Sequence, residues 1–415
     1  MDLSDGSFFP LQAVTNEDLA SLCEAIWEWT PCQQWISGES CQTPGCSCQR
    51  AIKLQPFFDY YKDVTAHYLP DHVGQSDPAL GSHSHLISII SLLKTHPEKS
   101  RLELTVRYFE ERLKKEGNES SGPAQSDRDR ALNIGARITV MTPPSAQGHW
   151  DGLLETGTRP LVWHGDRSLH DFVNTAFPKK IHPALDIDIE TASSAKIDIH
   201  SITAERAKRV ARLKLIPTDD LRDHLLLDEK AGTLSIFHYT SVLKEHLLAA
   251  ERQYHHDQNQ PHGQQQRSPP SHKLKQSPLL PHQLALETLL TLKEILFPDD
   301  RESQSILRTL VSKKQFDPDL IRIVDTPSYL SAVSAPYQYQ YWGSRLMDLH
   351  EELENPTPRG FFATWLERKS GARYVMMATL AGVGIAVLLG ILGLAVGIFQ
   401  AWVAWQQWKH PVISD

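Results

Sequence analysis

After Cys48 the chain contains no further cysteine, and all five lie between Cys23 and Cys48. That confinement excludes a disulfide framework spread over the protein and fits a reducing, cytosolic setting. Basic excess is absent too. With a formal net charge of −8 and a pI near 6.2, no basic stripe offsets the acidic balance, which excludes a general nucleic-acid binder. The chain has no G-x-x-x-x-G-K-[ST], no G-x-G-x-x-G after a strand, no G-x-S-x-G and no H-E-x-x-H, so no catalytic or cofactor-binding residue is assigned. The opening "MDLSDGSFFPLQ" carries Asp2 and Asp5 and lacks a basic start or a long apolar core, so neither a secretory signal nor a transit peptide is expected. No period of about 20 to 50 residues recurs, which argues against a solenoid.

What is present reads as a mainly α chain with a small α+β module and one C-terminal transmembrane helix. Residues 1–117 are expected to be helical and to carry the cysteine cluster. Thr15 and Asp18 form a capping box ahead of Leu19, Leu22, Ile26 and Trp29. Leu86, Ile89, Ile90 and Leu93 mark a second helix, and Pro97 suits the first turn of the next. Residues 118–129 form a polar linker. Over 130–251 the pattern changes to an α+β module. Asp166 or Ser168 caps one helix, Pro217-Thr218 opens another with Asp219 and Asp220 in its first turn, Gly232 turns the chain, and "TLSIFHY" alternates as a strand before a helix capped by Thr240 or Ser241. Residues 252–282 are a disordered Gln/His/Pro-rich spacer, 283–373 a helical juxtamembrane region ending its last helix before Asn355-Pro356, 374–400 the transmembrane helix and 401–415 a short Trp-rich tail.

Between Arg373 and Lys409 there is no Asp, Glu, Lys, Arg or His. The apolar part exceeds the roughly 20 residues that cross a hydrocarbon core about 30 Å thick. Arg359, Arg368, Lys369 and Arg373 precede the span and Lys409 alone follows it, so the N-terminal bulk is expected in the cytosol. Trp402, Trp405 and Trp408 then suit the far interface. The layout is that of a single-pass, tail-anchored protein of an endomembrane or the plasma membrane rather than a mitochondrial one. Ala378, Gly382, Ala386, Gly390, Gly393, Gly397 and Ala401 recur at three- or four-residue intervals and make one small-residue face for helix contact, hence a homo-oligomer. The same span lacks the ionisable groups that conducting helices carry.

Four cysteines, Cys32, Cys41, Cys46 and Cys48, lie in "CQQWISGESCQTPGCSC". Four thiolates suit a closed structural zinc site, although the spacing is not the paired C-x2-C of common zinc modules. His83 and His85 in "GSHSHL" read as surface residues. Asp219, Asp220, Asp223 and Asp228 concentrate in "TDDLRDHLLLD", where a helix start accounts for the first two without chemistry.

Four blocks, "RDRALNIGARITVM", "LIPTDDLRDHLLLDEKAGTLSIFHYTSVLKEHL", "LPHQLALETLLTLKEILFP" and the stretch from "YWGSRLMDLHEELE" through the span to "WQQWKHP", resemble a large family of uncharacterised proteins from filamentous fungi. The resemblance covers about residues 128–411 and implies a fungal origin and a shared C-terminal membrane segment. It carries no activity or site residues. Some fungal proteins with such ends are likened to CorA-type magnesium channels, whose Gly-Met-Asn motif and second span this chain lacks. The expected role is therefore a membrane-anchored, non-enzymatic scaffold facing the cytosol and bound to lipid bilayer, to an unknown protein partner and to its own copies. A transport-related accessory protein is the alternative, and an enzyme or zinc-dependent module without a recognisable site the third.

Overall fold

The computed structural model describes residues 9–41, 43–71, 77–116, 122–145, 161–185, 198–258, 279–325, 338–357 and 373–409. Part of the linker, most of the Gln/His/Pro spacer, the basic positions Arg359, Arg368 and Lys369, and residues 410–415 lie outside them. The chain divides into one unit up to Pro356 and a second from Thr357.

In the first unit, helix α1 (Asn16–Trp27) starts at the expected capping box. The Thr15 hydroxyl accepts from the Asp18 N–H at 3.1 Å and the Asp18 carboxylate accepts from the Thr15 N–H at 3.0 Å. Leu19, Leu22, Cys23 and Ile26 then share its buried face. The short helices α2 (Gln33–Ile36) and α3 (Cys48–Lys53) follow, then α4 (Gln55–Ala66) and α5 (His83–Thr95). Helix α5 buries Leu86, Ile89, Ile90 and Leu93 completely and packs on α1 and on α7 (Gln125–Val140). The α5–α7 crossing is close because Gly135 has no side chain. A Cβ there would meet Ile89 Cγ2 at 3.1 Å and Leu93 Cδ1 at 3.3 Å.

Pro97 stands ahead of α6 (Arg101–Glu116) rather than in its first turn. The first N–H groups of α6 are taken instead by a distant strap: Arg101 N–H donates to Arg167 O at 3.0 Å and Leu102 N–H to Gly165 O at 2.9 Å. Ser168, through a second capping box with Asp171, begins α8 (Leu169–Ala176).

The α+β module holds α9 (Ala204–Arg209) and a three-stranded sheet of order β1-β3-β2, built from β1 (Lys214–Thr218), β2 (Leu226–Asp228) and β3 (Thr233–Phe237). Strand β1 runs parallel to β3 and β2 antiparallel, the β2–β3 turn closing at Gly232 with φ +66°. Pro217-Thr218 thus ends strand β1 where a helix start was expected. Pro217 is tolerated there because β1 is an edge strand, which leaves one row of donors unpaired anyway. Only one 3-10 turn, Leu221–Asp223, follows, and the Asp220 carboxylate caps it through the Arg222 N–H at 2.9 Å. Asp219 accepts the Tyr239 hydroxyl at 2.8 Å, and Asp228 accepts the Ala231 N–H at 2.9 Å in the turn. Asp220 also accepts the Thr142 hydroxyl at 2.9 Å, so each of these carboxylates is engaged in a structural hydrogen bond.

Beyond the sheet come α10 (Thr240–Gln258), α11 (His282–Leu290) continuing as a π segment over Thr291–Leu296, α12 (Arg301–Ser312) and α13 (Gly343–Glu354). Helix α10 extends well into what reads as spacer. The fully buried carboxylate of Glu287 accepts the N–H groups of Gln340, Tyr341 and Trp342 at 2.7, 2.8 and 3.2 Å, and the Trp342 indole donates to Thr288 Oγ1 at 2.9 Å. Beside it His224, also fully buried, sits 2.8 Å from Thr291 Oγ1 and edge-on to Trp342. Three separated segments, the β1–β2 connection, α11 and the entry to α13, therefore meet at one polar node inside the apolar core.

In the second unit, residues Arg373–Lys409 form one continuous helix, of which Thr379–Lys409 is long and apolar enough to cross a membrane. Leu380, Val383, Ile385, Leu388, Leu392 and Phe399 are all exposed, so the helix is apolar on every face.

Two outcomes follow from this packing. Gly135→Val forces a branched side chain against Ile89 and Leu93 and should lower stability by about 1–3 kcal/mol in chemical denaturation. Burial raises the Glu287 carboxyl from its ordinary 4.5 to about 7, against the three N–H donors that favour its charge. The native state then holds a proton that the unfolded chain has released, so stability should fall as pH rises from about 4.5 to about 7, and Glu287→Gln should flatten that slope.

Candidate metal centre

The spacing that looked irregular in sequence is closed by two backbone reversals. Helix α2 ends at Gly38, φ +77°, where the Gly38 N–H donates to Trp35 O and the Glu39 N–H reaches back to Gln34 O at 2.8 Å. Thr43-Pro44-Gly45-Cys46 then makes a turn with Pro at its second position, Gly45 at φ +75° in its third, and Cys46 N–H donating to Thr43 O at 3.3 Å. That is the residue pattern of a type II turn. Cys32 occupies the N-cap position of α2 and Cys48 begins α3. The four sulfurs consequently converge, all lying within 4.8 Å of one another.

A single ion with four thiolates at about 2.3 Å in a tetrahedron places its sulfurs about 3.8 Å apart. The farthest pair here has to close by only about an ångström to reach that geometry. The residues therefore fit a soft divalent cation such as zinc, and an all-thiolate set leaves no position open for water. Two sulfurs are also prepared by the backbone. The Thr43 N–H and then the Thr43 hydroxyl donate to Cys41 and hold its thiol down at about 6. The Trp35 N–H favours the thiolate of Cys32, but burial and the neighbouring thiols Cys46 and Cys41 outweigh it and raise that group. Burial, followed by the hydrogen bonds with Cys41 and Cys46, raises Cys48 to about 12. Such mutually bonded thiols give up their protons when a divalent cation takes their place.

Cys23 is outside this group, fully buried on α1 with its thiol pushed up by burial. All five cysteines are free thiols. His83, expected at the surface, is 4% exposed and bonded to Tyr61 Oη at 2.8 Å, because the α5 N-terminus packs against α4. His85, on the same turn, accepts from the Gly81 N–H at 3.2 Å. A groove of about 420 Å³ between α5 and α6 is lined by Ser88, Thr95, His96, Arg107, Tyr108 and Glu111. Arg107 is paired with Glu111 at 3.1 Å and with His96 at 2.9 Å, while Ser88 and Thr95 donate to the helix carbonyls behind them. That arrangement satisfies helix surfaces and presents no nucleophile with a base.

On the C-terminal helix, Gly382, Ala386, Gly390, Gly393, Gly397 and Ala401 lie along one continuous helical stretch. A Cβ at any of these glycines would meet nothing within 4 Å among the described residues. The Ala378 side chain lies outside the description. No protein-family profile matches the chain, and no curated protein or solved structure is similar to it.

Cobalt(II) titration tests the centre directly. Binding should give the intense visible bands of a tetrahedral tetrathiolate, and Cys41→Ser or Cys46→Ser should remove them or shift them to a three-sulfur pattern.

Proposed function

We propose that the chain is a single-span membrane protein whose helical body faces the cytosol, carries a structural zinc in its Cys32–Cys48 loop and acts as a non-enzymatic scaffold for other proteins. The observation that supports this most is the C-terminal helix, apolar on every face and exposed along its length. A helix of this kind is stable either inside a protein core or in hydrocarbon. Four basic residues before the span against Lys409 after it favour retention of the body on the cytosolic side. The reducing environment on that side keeps thiols available for zinc rather than for disulfides. The Gly/Ala face supports a second element of the proposal, self-association of the spans through close backbone approach. The resemblance read from the four sequence blocks implies a shared C-terminal membrane segment and is part of this reading.

Sealed microsomes from cells making the full chain test the topology. External protease should digest the helical body and leave the span protected, and alkaline carbonate should fail to extract the protein. A body that survives the protease overturns the orientation. Gly390→Leu together with Gly393→Leu should weaken cross-linking between spans without changing membrane retention.

A further inference from the structure

The metal loop is flanked by two residues that form a clamp on a distant helix. Trp29 lies three residues before Cys32, and Arg50 lies two residues after Cys48. The Arg50 guanidinium stands 4.2 Å from the centre of the Trp29 ring. It is also paired in fork-like fashion with Glu245 of α10, its Nε donating to Oε1 at 3.0 Å and its Nη2 to Oε2. The Glu245 side chain is 8% exposed and Trp29 is equally covered. Next to them Trp27 meets His246 edge-on, with ring centres 5.7 Å apart, and Arg252 donates to Trp27 O at 3.3 Å. Cys23, one helical turn before Trp27, is fully buried on α1 and close enough to Glu245 and Arg50 to feel both charges.

The clamp needs Trp29 and Arg50 side by side; α3 is anchored only through buried Cys48 and Ala51, and α2 buries no residue. Both are one or two turns long, below the length at which a helix holds itself. Closing the loop between them costs chain entropy that an ion joining its two ends offsets. We infer that the metal loop is a latch: an ion held by Cys32, Cys41, Cys46 and Cys48 keeps Trp29 and Arg50 together and so seals α10 onto the N-terminal helices, and loss of the ion opens this junction and exposes the Cys23 thiol. The inference rests on the zinc reading given above and adds a consequence for a cysteine that binds no metal. A guanidinium held between an indole and a largely buried carboxylate has few ways to relax, so the junction has one closed arrangement and opens as a unit.

The test uses the full chain in detergent, with zinc measured by elemental analysis and each cysteine's labelling by a maleimide followed by peptide mass spectrometry. As purified, about one zinc per chain is expected and Cys23 should label slowly. Stripping the metal with a strong chelator should raise the Cys23 rate by about tenfold or more while helix content by circular dichroism is kept. Arg50→Met should raise the Cys23 rate in the same way with zinc still bound, because it releases the clamp without touching a ligand. Zinc that is bound and then removed with Cys23 still protected overturns the latch alone. A collapse of helix content on chelation also overturns it, since the ion would then hold the whole body rather than this junction. A preparation without zinc, its four loop cysteines labelled from the outset, overturns the zinc reading and the latch with it.

Discussion

A carboxylate with no exposed surface ties the first unit together. Glu287 accepts three consecutive backbone N–H groups from the entry to α13, of which that of Trp342, at the helix N-cap, is buried. Without an acceptor at that position α13 has no reason to enter the core there, and Trp342 would lose its contact with Thr288. The same node fixes His224, whose Nδ1 accepts from the Phe237 N–H at the end of β3 and whose imidazole burial keeps well below its ordinary value. The sheet, α11 and α13 are thus positioned by polar groups with few alternatives, while the surrounding leucines and aromatics supply the nonspecific gain.

The thiol loop follows a different logic. Its residues bury little apolar surface, and its backbone is turned by Gly38 and Gly45 at positive φ rather than by long helices. In the body the order comes from packing; in the loop it comes from two backbone reversals that bring four sulfurs within 4.8 Å of one another. The clamp of Arg50 between Trp29 and Glu245 joins the two regimes, since one end belongs to the loop and the other to α10.

Much of the helical body was legible because its signals are local. The Thr15–Asp18 box, the buried stripe of α5, the Ser168 cap, the Gly232 turn and the end of α13 near Asn355 each rest on a few adjacent residues. Strand β1 was misread because Pro-Thr-Asp-Asp suits a helix entry as well as the end of an edge strand followed by an Asx turn. The decision lay in pairing with β3, which no neighbouring residue announces. Residue separations of 53 to 55 for Glu287 and 67 for His224 put their partners equally out of local reach. At the metal loop the ligand types were visible but their convergence was not. Counting residues between cysteines ignores that Gly38 and Pro44-Gly45 reverse the chain, and those two turn signals were the available clue.

Proteins are made from one end, which gives the turn at Thr43-Pro44-Gly45-Cys46 a meaning in time. Pro44 restricts the chain before anything has packed, so the four sulfurs of the loop start from a narrowed ensemble. They leave the ribosome long before Glu245 does. An ion captured at that stage would present Arg50 and Trp29 as a finished surface on which α10 later lands, and the order of synthesis would match the order of assembly.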